Sequence, residues 1–327
     1  MSNQQCSTIR RIRERGHLLA GVSKGIFGLS FRASSNGDWQ GFDVDLARVV
    51  AAAVLGDASA VKFTSVAPHE RCHAVASGLV DIGTFNSSAT LGREAEHDVI
   101  FPQTMLFDGE ALMVRKDELT AQWRSLGVDG LQTRIVATQK GATTAANLKR
   151  YFNACGLDYQ LRDYETPQQA LQAYNDKECN IYALDLIPLT GERLRLADPA
   201  AHLILEEPIS KEAMGPVVSA EDSSWIRAVT WIMRVLIEAE ELGLDGTNCQ
   251  RPDNASIEHV QDFLHPAQGK LDRLGLRDSF PLLILQQVGN YGEIFDRNLG
   301  RNSSLQLPRG RNALWSQGGL LISPSFQ

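Results

Sequence analysis

The stretch 80-VDIGTFNSSATLGREAEHDVIF-101 runs from a short apolar strand, Val80 to Phe85, through small polar residues into a helix start that carries a single arginine, Arg93. Hydroxyls and backbone amides at Asn86, Ser88 and Thr90 can ring an oxyanion, and the guanidinium of Arg93 is a planar fork suited to a carboxylate. The same residues also spell a helix cap, with Ser or Thr ahead of an acidic first turn and Arg93 in a surface pair. Both readings stay open on this segment alone.

Outward from it, strand and helix alternate. His17 to Val22 reads as a buried strand entering a loop at Ser23, Lys24 and Gly25, which makes that loop a candidate site wall. Asp43 to Leu55 places Leu46, Val49, Val50, Ala53 and Val54 at helical spacing, and Val61 to Ser65 is a strand ahead of a helix near His69 to Ser77. Downstream, strands Ala111 to Arg115 and Arg134 to Thr138 lead through Gly141 to a helix from Thr144 to Cys155. Ile181 to Leu184 is a further strand, and Pro216 to Val218 reads as the strand that returns the chain to its first half. Ser223 to Leu242 carries one apolar stripe, Trp225, Val229, Ile232, Met233, Leu236 and Ile237, as a long packed helix does. The tail from Asn248 reads as a wrapped extension. Such alternation is α/β, and 327 residues exceed what one core usually organises, so two lobes joined by two crossings are expected. The expected division is an N-terminal arm (1–16), a first lobe (17–114 with 216–327) and a second lobe (115–215).

Composition narrows the function. With 43% hydrophobic and 22% charged residues the chain is an ordinary globular sequence, and a net charge of −7 without a basic stripe excludes nucleic acid as a partner. No apolar run reaches the length of a membrane span. Residues 1–16, MSNQQCSTIRRIRERG, lack the apolar stretch of a secretory signal, so either a signal was removed or none existed. Five cysteines at scattered spacings outline neither a disulfide framework nor a zinc ribbon, and Cys155 with Cys179 is the only pair worth testing.

His69-Glu70-Arg71-Cys72-His73 matches the zincin pattern H-E-x-x-H, but position 76 is Ala rather than the Gly of the longer pattern, and Arg71 stands where apolar neighbours are usual. No metal is expected there. Phosphate-cradling and nucleophile-elbow motifs are absent, so no cofactor is expected, and Cys72 reads as a core residue. In the second half, Gln139-Lys140-Gly141-Ala142-Thr143-Thr144 puts glycine and hydroxyls at a strand-to-helix junction, where free amides favour an anion. Asp185 directly follows an apolar strand, which suits an ammonium partner or, equally, an N-cap.

These residues, with Gly41-Phe42-Asp43-Val44-Asp45-Leu46, Glu70-Arg71, Gly78, Asp81, Gly215-Pro216, the tail 288-VGNYGEIF-295 and Asn312-Ala313-Leu314-Trp315, resemble the periplasmic general L-amino-acid-binding proteins of polar amino-acid ABC transporters, within the family 3 solute-binding proteins. The resemblance runs from about Gly16 to the C-terminus. It implies a two-lobed, type II periplasmic-binding-protein fold with a hinge of two crossover strands that closes on a free L-α-amino acid. Arg93 matches the clamp for the α-carboxylate, Ser88 the hydroxyl that assists it, Thr143 a backbone donor of the second lobe, and Asp185 the acceptor for the α-ammonium. With Ser23, Asn86, Gly141 and Thr144 these form the expected ligand site of a monomer that an ABC permease would accept. Cysteines frequent in relatives are replaced by Ala20, Ala47 and Ala137, which leaves Cys179 without its expected partner and, with the missing signal, allows a cytoplasmic address beside the periplasmic one. Pro68 stands where an aromatic residue often packs on the ligand, so selectivity is not carried over. The alternative is a lyase- or dehydratase-like enzyme on the same scaffold, with Lys24, Lys140 and His69 as the groups available to it.

Overall fold

A computed structural model of the chain describes residues 7–23, 25–32, 34, 37–119, 131, 133–141, 143–205, 208–250, 257–266, 269 and 271–326. Lys24 and Cys6 lie outside the described residues. By its contacts the chain divides into two units, Met1–Phe107 with Ala213–Gln327, and Asp108–Glu212.

Unit 1 begins with helix α1 (Ser7–Arg15), whose Thr8, Ile9 and Ile12 are buried. The segment expected as a polar arm is therefore packed, and Asp222 anchors it by accepting from Ser7 Oγ at 2.9 Å, Thr8 N at 3.0 Å and Thr8 Oγ1 at 2.9 Å. Then follow β1 (Leu18–Val22), the short strands β2 (Phe31–Arg32) and β3 (Trp39–Gln40), and α2 (Phe42–Leu55). β4 (Val61–Ser65), α3 (Arg71–Ala76), β5 (Ile82–Thr84), α4 (Leu91–Glu96) and β6 (Val99–Ile100) complete this half. β4, β1 and β5 make a parallel sheet in that order, with Leu18 opposite Val61 and Ala20 opposite Ile82. The middle strand is β1, so its inward residues Leu18, Ala20 and Val22 are fully buried. The glycine in Val80 to Phe85 has a packing reason: a Cβ on Gly83 would lie 1.9 Å from the Phe85 ring, which covers the sheet there. Helix α2 is apolar nearly all round and buried from Phe42 to Val50 except Arg48, as a helix enclosed on every side must be. Gly41, with φ +127°, starts it where a Cβ would meet the Leu29 carbonyl oxygen at 2.2 Å.

The two boundaries fall inside short strands, β7 (Leu106–Asp108) and β13 (Glu212–Met214). Unit 2 comprises β8 (Glu110–Arg115), β9 (Ile135–Gln139), α5 (Thr144–Cys155), β10 (Gln160–Tyr164), α6 (Pro167–Asn175), β11 (Ile181–Asp185), α7 (Leu186–Leu194) and β12 (His202–Ile204). Its sheet has the order β10-β9-β11-β8-β12; β10, β9 and β11 run parallel, and β8 runs antiparallel to both β11 and β12. One face buries Val136, Ile181, Ala183, Leu112 and Val114 under Leu148 and Phe152 of α5. The other buries Ala137, Tyr182 and Met113 under Ala170 and Tyr174 of α6 and Leu189 of α7. The division falls after Phe107 and Glu212, against 114 and 215 in the sequence reading, because all of β8 hydrogen-bonds into the second sheet.

On its return the chain adds β14 (Val218–Ser219), paired antiparallel with β6, and the long helix α8 (Ser223–Glu241), whose stripe from Trp225 to Ile237 is buried. Trp225 Nε1 donates to the Asp81 carbonyl at 3.0 Å. The tail holds α9 (Ile257–Leu264), α10 (Phe280–Gln287) and α11 (Tyr291–Asn298). It is structural: Tyr291, Ile294 and Phe295 are buried, and Arg297 Nε and Asn298 Nδ2 donate to Asp45 of α2 at 2.8 and 2.7 Å. Among the described residues no helix is long and apolar enough to cross a membrane.

Candidate functional site

In unit 1 the loop after β5 carries the predicted residues. Asn86 has φ +50°, an uncommon conformation for a residue other than glycine and one that clusters at functional sites. Ser23 Oγ, at the end of β1, lies 2.7 Å from both the Phe85 carbonyl oxygen and Asn86 Oδ1, and accepts from Arg71 Nη2 at 2.7 Å. Arg71 Nη1 donates to Ser87 Oγ at 3.2 Å. Arg93 Nη1 donates to the Ser88 carbonyl at 2.6 Å, which fixes the guanidinium at the loop it was expected to serve. The cap reading of this segment falls to Thr90. Thr90 caps α4 by accepting from Arg93 N at 3.2 Å, so its hydroxyl serves the helix, while the Arg93 side chain turns to Ser88 rather than to a surface carboxylate. Beneath lies Asp43, 4% exposed; burial pushes its carboxyl up, against the charge of Arg71 and the backbone amide of Asn86. The Cys72 thiol is also pushed up by burial, against the pull of Arg93 and Arg71. Two guanidiniums and three serines thus converge on one loop of unit 1.

In unit 2 Asp185 ends β11 opposite Glu110 of β8. It occupies the N-cap position of α7, yet its side chain makes no capping hydrogen bond. Asp108 does that work: its Oδ2 accepts from Ile187 N at 3.2 Å and its Oδ1 from Gly109 N at 2.8 Å. Glu110, Asp185 and Glu212 each bring a carboxylate oxygen within 4.8 Å of the others. Asn147 Nδ2 donates to Glu110 Oε2 at 3.0 Å and Glu212 Oε1 at 2.9 Å, and Ser210 Oγ donates to Glu212 Oε1 at 2.7 Å. Burial pushes the Glu110 carboxyl up; the nearby Thr144 hydroxyl and the Asn147 amide oppose this, and the charge of Glu212 adds to it. Asp108 is likewise pushed up, first by burial. Of the expected anion cradle, Gly141 is an exposed turn residue at φ +78°, Thr143 precedes α5 without a side-chain cap, and Thr144 is buried beside Glu110.

The zinc pattern is dispersed. His69 and Glu70 lie in a 3-10 turn over Pro68–Glu70, His69 and His73 are exposed, and Arg71 points to Ser23 and Ser87. Lys140 is exposed and paired with Glu165 at 2.9 Å. Cys155 and Cys179 are free thiols, one exposed and one buried, so that pair is not bridged. Arg71, Asp43, Glu110, Asn147 and Glu212 are what sequence reasoning missed. A single carboxylate heading an apolar strand, Glu110 before Ala111 to Val114, was the available signal, since such residues are seldom buried without a task.

The profile of the bacterial extracellular solute-binding proteins, family 3, matches residues 18–260. A general L-amino acid-binding periplasmic protein of Rhizobium johnstonii is 35% identical over 99% of this chain and 94% of its own length. A glutamate/glutamine/aspartate/asparagine-binding protein of Rhodobacter capsulatus is 35% identical over 98% of this chain and 94% of its own. Among solved structures, an ABC transporter periplasmic binding protein of Brucella ovis with glutathione bound has a TM-score of 0.91 at 34% identity, covering 98% of this chain and 99% of that one. Each is named as a binding protein and none as an enzyme, so neither the lyase- or dehydratase-like alternative nor a cytoplasmic address finds support in them. The fold is accordingly the two-lobed α/β fold of periplasmic amino-acid-binding proteins, and the chain belongs to the bacterial extracellular solute-binding proteins of family 3.

Proposed function

We propose that this chain is the periplasmic binding component of an amino-acid ABC transporter, and that it captures a free L-α-amino acid without covalent chemistry. Arg93 and Ser88, supported by Ser23, Asn86 and Arg71, receive the α-carboxylate; Asp185 receives the α-ammonium, and Thr143 with Gly141 and Thr144 supplies backbone donors. The observation that carries this reading is chemical: the loop after β5 in unit 1 gathers Arg71, Arg93 and the hydroxyls of Ser23 and Ser87, groups suited to a carboxylate, and unit 2 gathers the carboxylates of Glu110, Asp185 and Glu212, groups suited to an ammonium. Relatives named as amino-acid-binding proteins support it. The protein acts as a monomer presented to its permease.

The test is a thermal-shift and calorimetry screen of the purified protein against the common amino acids, with mass spectrometry of the recovered ligand. A one-to-one ligand returned unchanged is expected; a ligand that turns over would replace binding with catalysis. Arg93→Ala and Asp185→Asn should each weaken binding by about 2 to 5 kcal/mol, because each leaves a charged group of the bound ligand without its partner. Unchanged affinity in both would remove the assigned site.

A further inference from the structure

Glu110, Asp185 and Glu212 form a cluster in which one carboxylate oxygen of each lies within 4.8 Å of the others. Three acceptors around a tetrahedral ammonium, each about 2.8 Å from nitrogen, stand roughly 4.6 Å from one another. A magnesium-sized cation needs oxygens at about 2.1 Å and hence neighbours at about 3 Å. The numbers also match in kind, since a primary ammonium has three donors and no acceptor.

Glu110 supplies a second observation, independent of the spacing. Its side chain is 0% exposed, Oε2 is held by Asn147, and Oε1 accepts no hydrogen bond among the described residues. A buried carboxylate oxygen left in that state is costly unless a donor arrives. Asn147 donates to both glutamates and so fixes their planes, spending one oxygen of each and leaving the other for a donor. Asp185 is the one partly exposed member of the three.

We infer that Glu110 and Glu212 join Asp185 in a three-carboxylate seat for one primary ammonium, which narrows the ligands to amines with three N–H donors and disfavours N-alkylated ones. The inference rests on the reading of Asp185 as the ammonium acceptor. Before ligand arrives, like charges at this spacing repel, and a proton held on buried Glu110 relieves the repulsion. An arriving ammonium replaces it, so binding releases a proton to the buffer.

The test uses the full chain, L-glutamine and N-methyl-L-glutamine in calorimetry, and the variants Glu110→Gln and Glu212→Gln. Expected are at least tenfold weaker binding of the N-methyl compound by wild type, at least tenfold weaker L-glutamine binding by each variant, and a binding heat that depends on buffer ionisation in wild type only. Glu110→Gln should meanwhile raise the ligand-free melting temperature, a sign opposite to that of a merely structural residue. Binding that needs Arg93 and Asp185 but is unchanged in both glutamine variants would overturn the seat and leave the site standing. If wild type binds no amino acid, the proposed function fails, and thermal protection by methylammonium against tetramethylammonium decides the seat: protection lost in Glu110→Gln supports it, and equal or absent protection overturns it. Stabilisation by manganese or calcium alone, lost in Glu110→Gln, would assign the carboxylates to a metal and overturn it as well.

Discussion

Asp222 joins two helices through one carboxylate. It caps α8 by accepting from Ser224 N at 3.1 Å and Trp225 N at 3.0 Å, and its other oxygen takes Ser7 and Thr8 of α1. Burial alone would raise its carboxyl, but the amides of Thr8 and Trp225 and the hydroxyls of Ser7 and Thr8 outweigh it and hold it down at about 2. A carboxyl lower in the folded than in the unfolded chain stabilises above its ordinary value, and that contribution is lost as pH falls through the folded value. Asp222→Ala is therefore expected to cost about 1 to 2 kcal/mol at neutral pH, the usual loss for an N-cap. Urea midpoints should show the difference from wild type shrinking between pH 4 and pH 2; a difference constant over that range would disprove the assignment. Arg71 is the other residue on which much depends, since it holds Ser23 and Ser87 and is the countercharge of buried Asp43. Arg71→Met should destabilise by about 3 kcal/mol through the carboxylate it strands, and Asp43→Asn in the same chain should recover part of that loss in a double-mutant cycle. Its importance was hidden in the sequence, because a five-residue metal pattern gives meaning to the two histidines, which the fold leaves exposed, and none to the arginine inside it.

At the scale of elements, legibility followed the apolar and β-branched pattern along the chain. The helices 42–55 and 223–241 and the strand 61–65 stood out because one face or the whole surface of each is apolar, or because β-branched and aromatic residues recur at strand spacing. β10 and α6 did not. β10, Gln160–Tyr164, is an edge strand with mostly exposed side chains and no apolar run. α6 carried a usable signal in Thr166, Pro167 and Gln169, a capping box with proline at the first helical position, and the structure forms that box. α7 was obscured by Pro188 and Gly191, although Asp108, distant in sequence, caps it. No local pattern announces such a partner, which is also why the choice between cap and ammonium acceptor at Asp185 was open from sequence. The start of α2 makes a prediction of its own. Gly41 combines φ +127° with a backbone oxygen at 2.2 Å from the position of a Cβ, and neither can relax without moving the loop at Leu29. Gly41→Ala should cost about 2 to 3 kcal/mol in chemical denaturation. Gly16→Ala, which has a positive φ but nothing within 4 Å of its Cβ, should cost less and serves as the control.

For the whole molecule, the consequence lies in how the chain enters and leaves unit 2. Residues 108–212 are continuous in sequence, build a five-stranded sheet, and bury separate apolar layers on its two faces. The entering and leaving segments meet, since Glu110 and Glu212 share Asn147 and lie within one carboxylate cluster. A continuous segment with its own core and adjoining ends has the properties of an independently folding domain, whereas unit 1 is assembled from two distant pieces of chain and depends on both. Expressed alone, residues 108–212 should unfold in one cooperative urea transition with dispersed amide NMR signals. Its stability should also carry the mark of its acidic corner. Carboxyls raised in the folded state, as Glu110 and Asp108 are, stabilise below their ordinary values, and this contribution is lost as pH rises from the ordinary carboxylate range toward neutrality. The isolated unit should therefore lose stability over that interval, and Glu110→Gln should flatten the slope. A segment that is unfolded alone would show that its two apolar layers are insufficient by themselves; a folded one without the slope would show that the corner holds no proton.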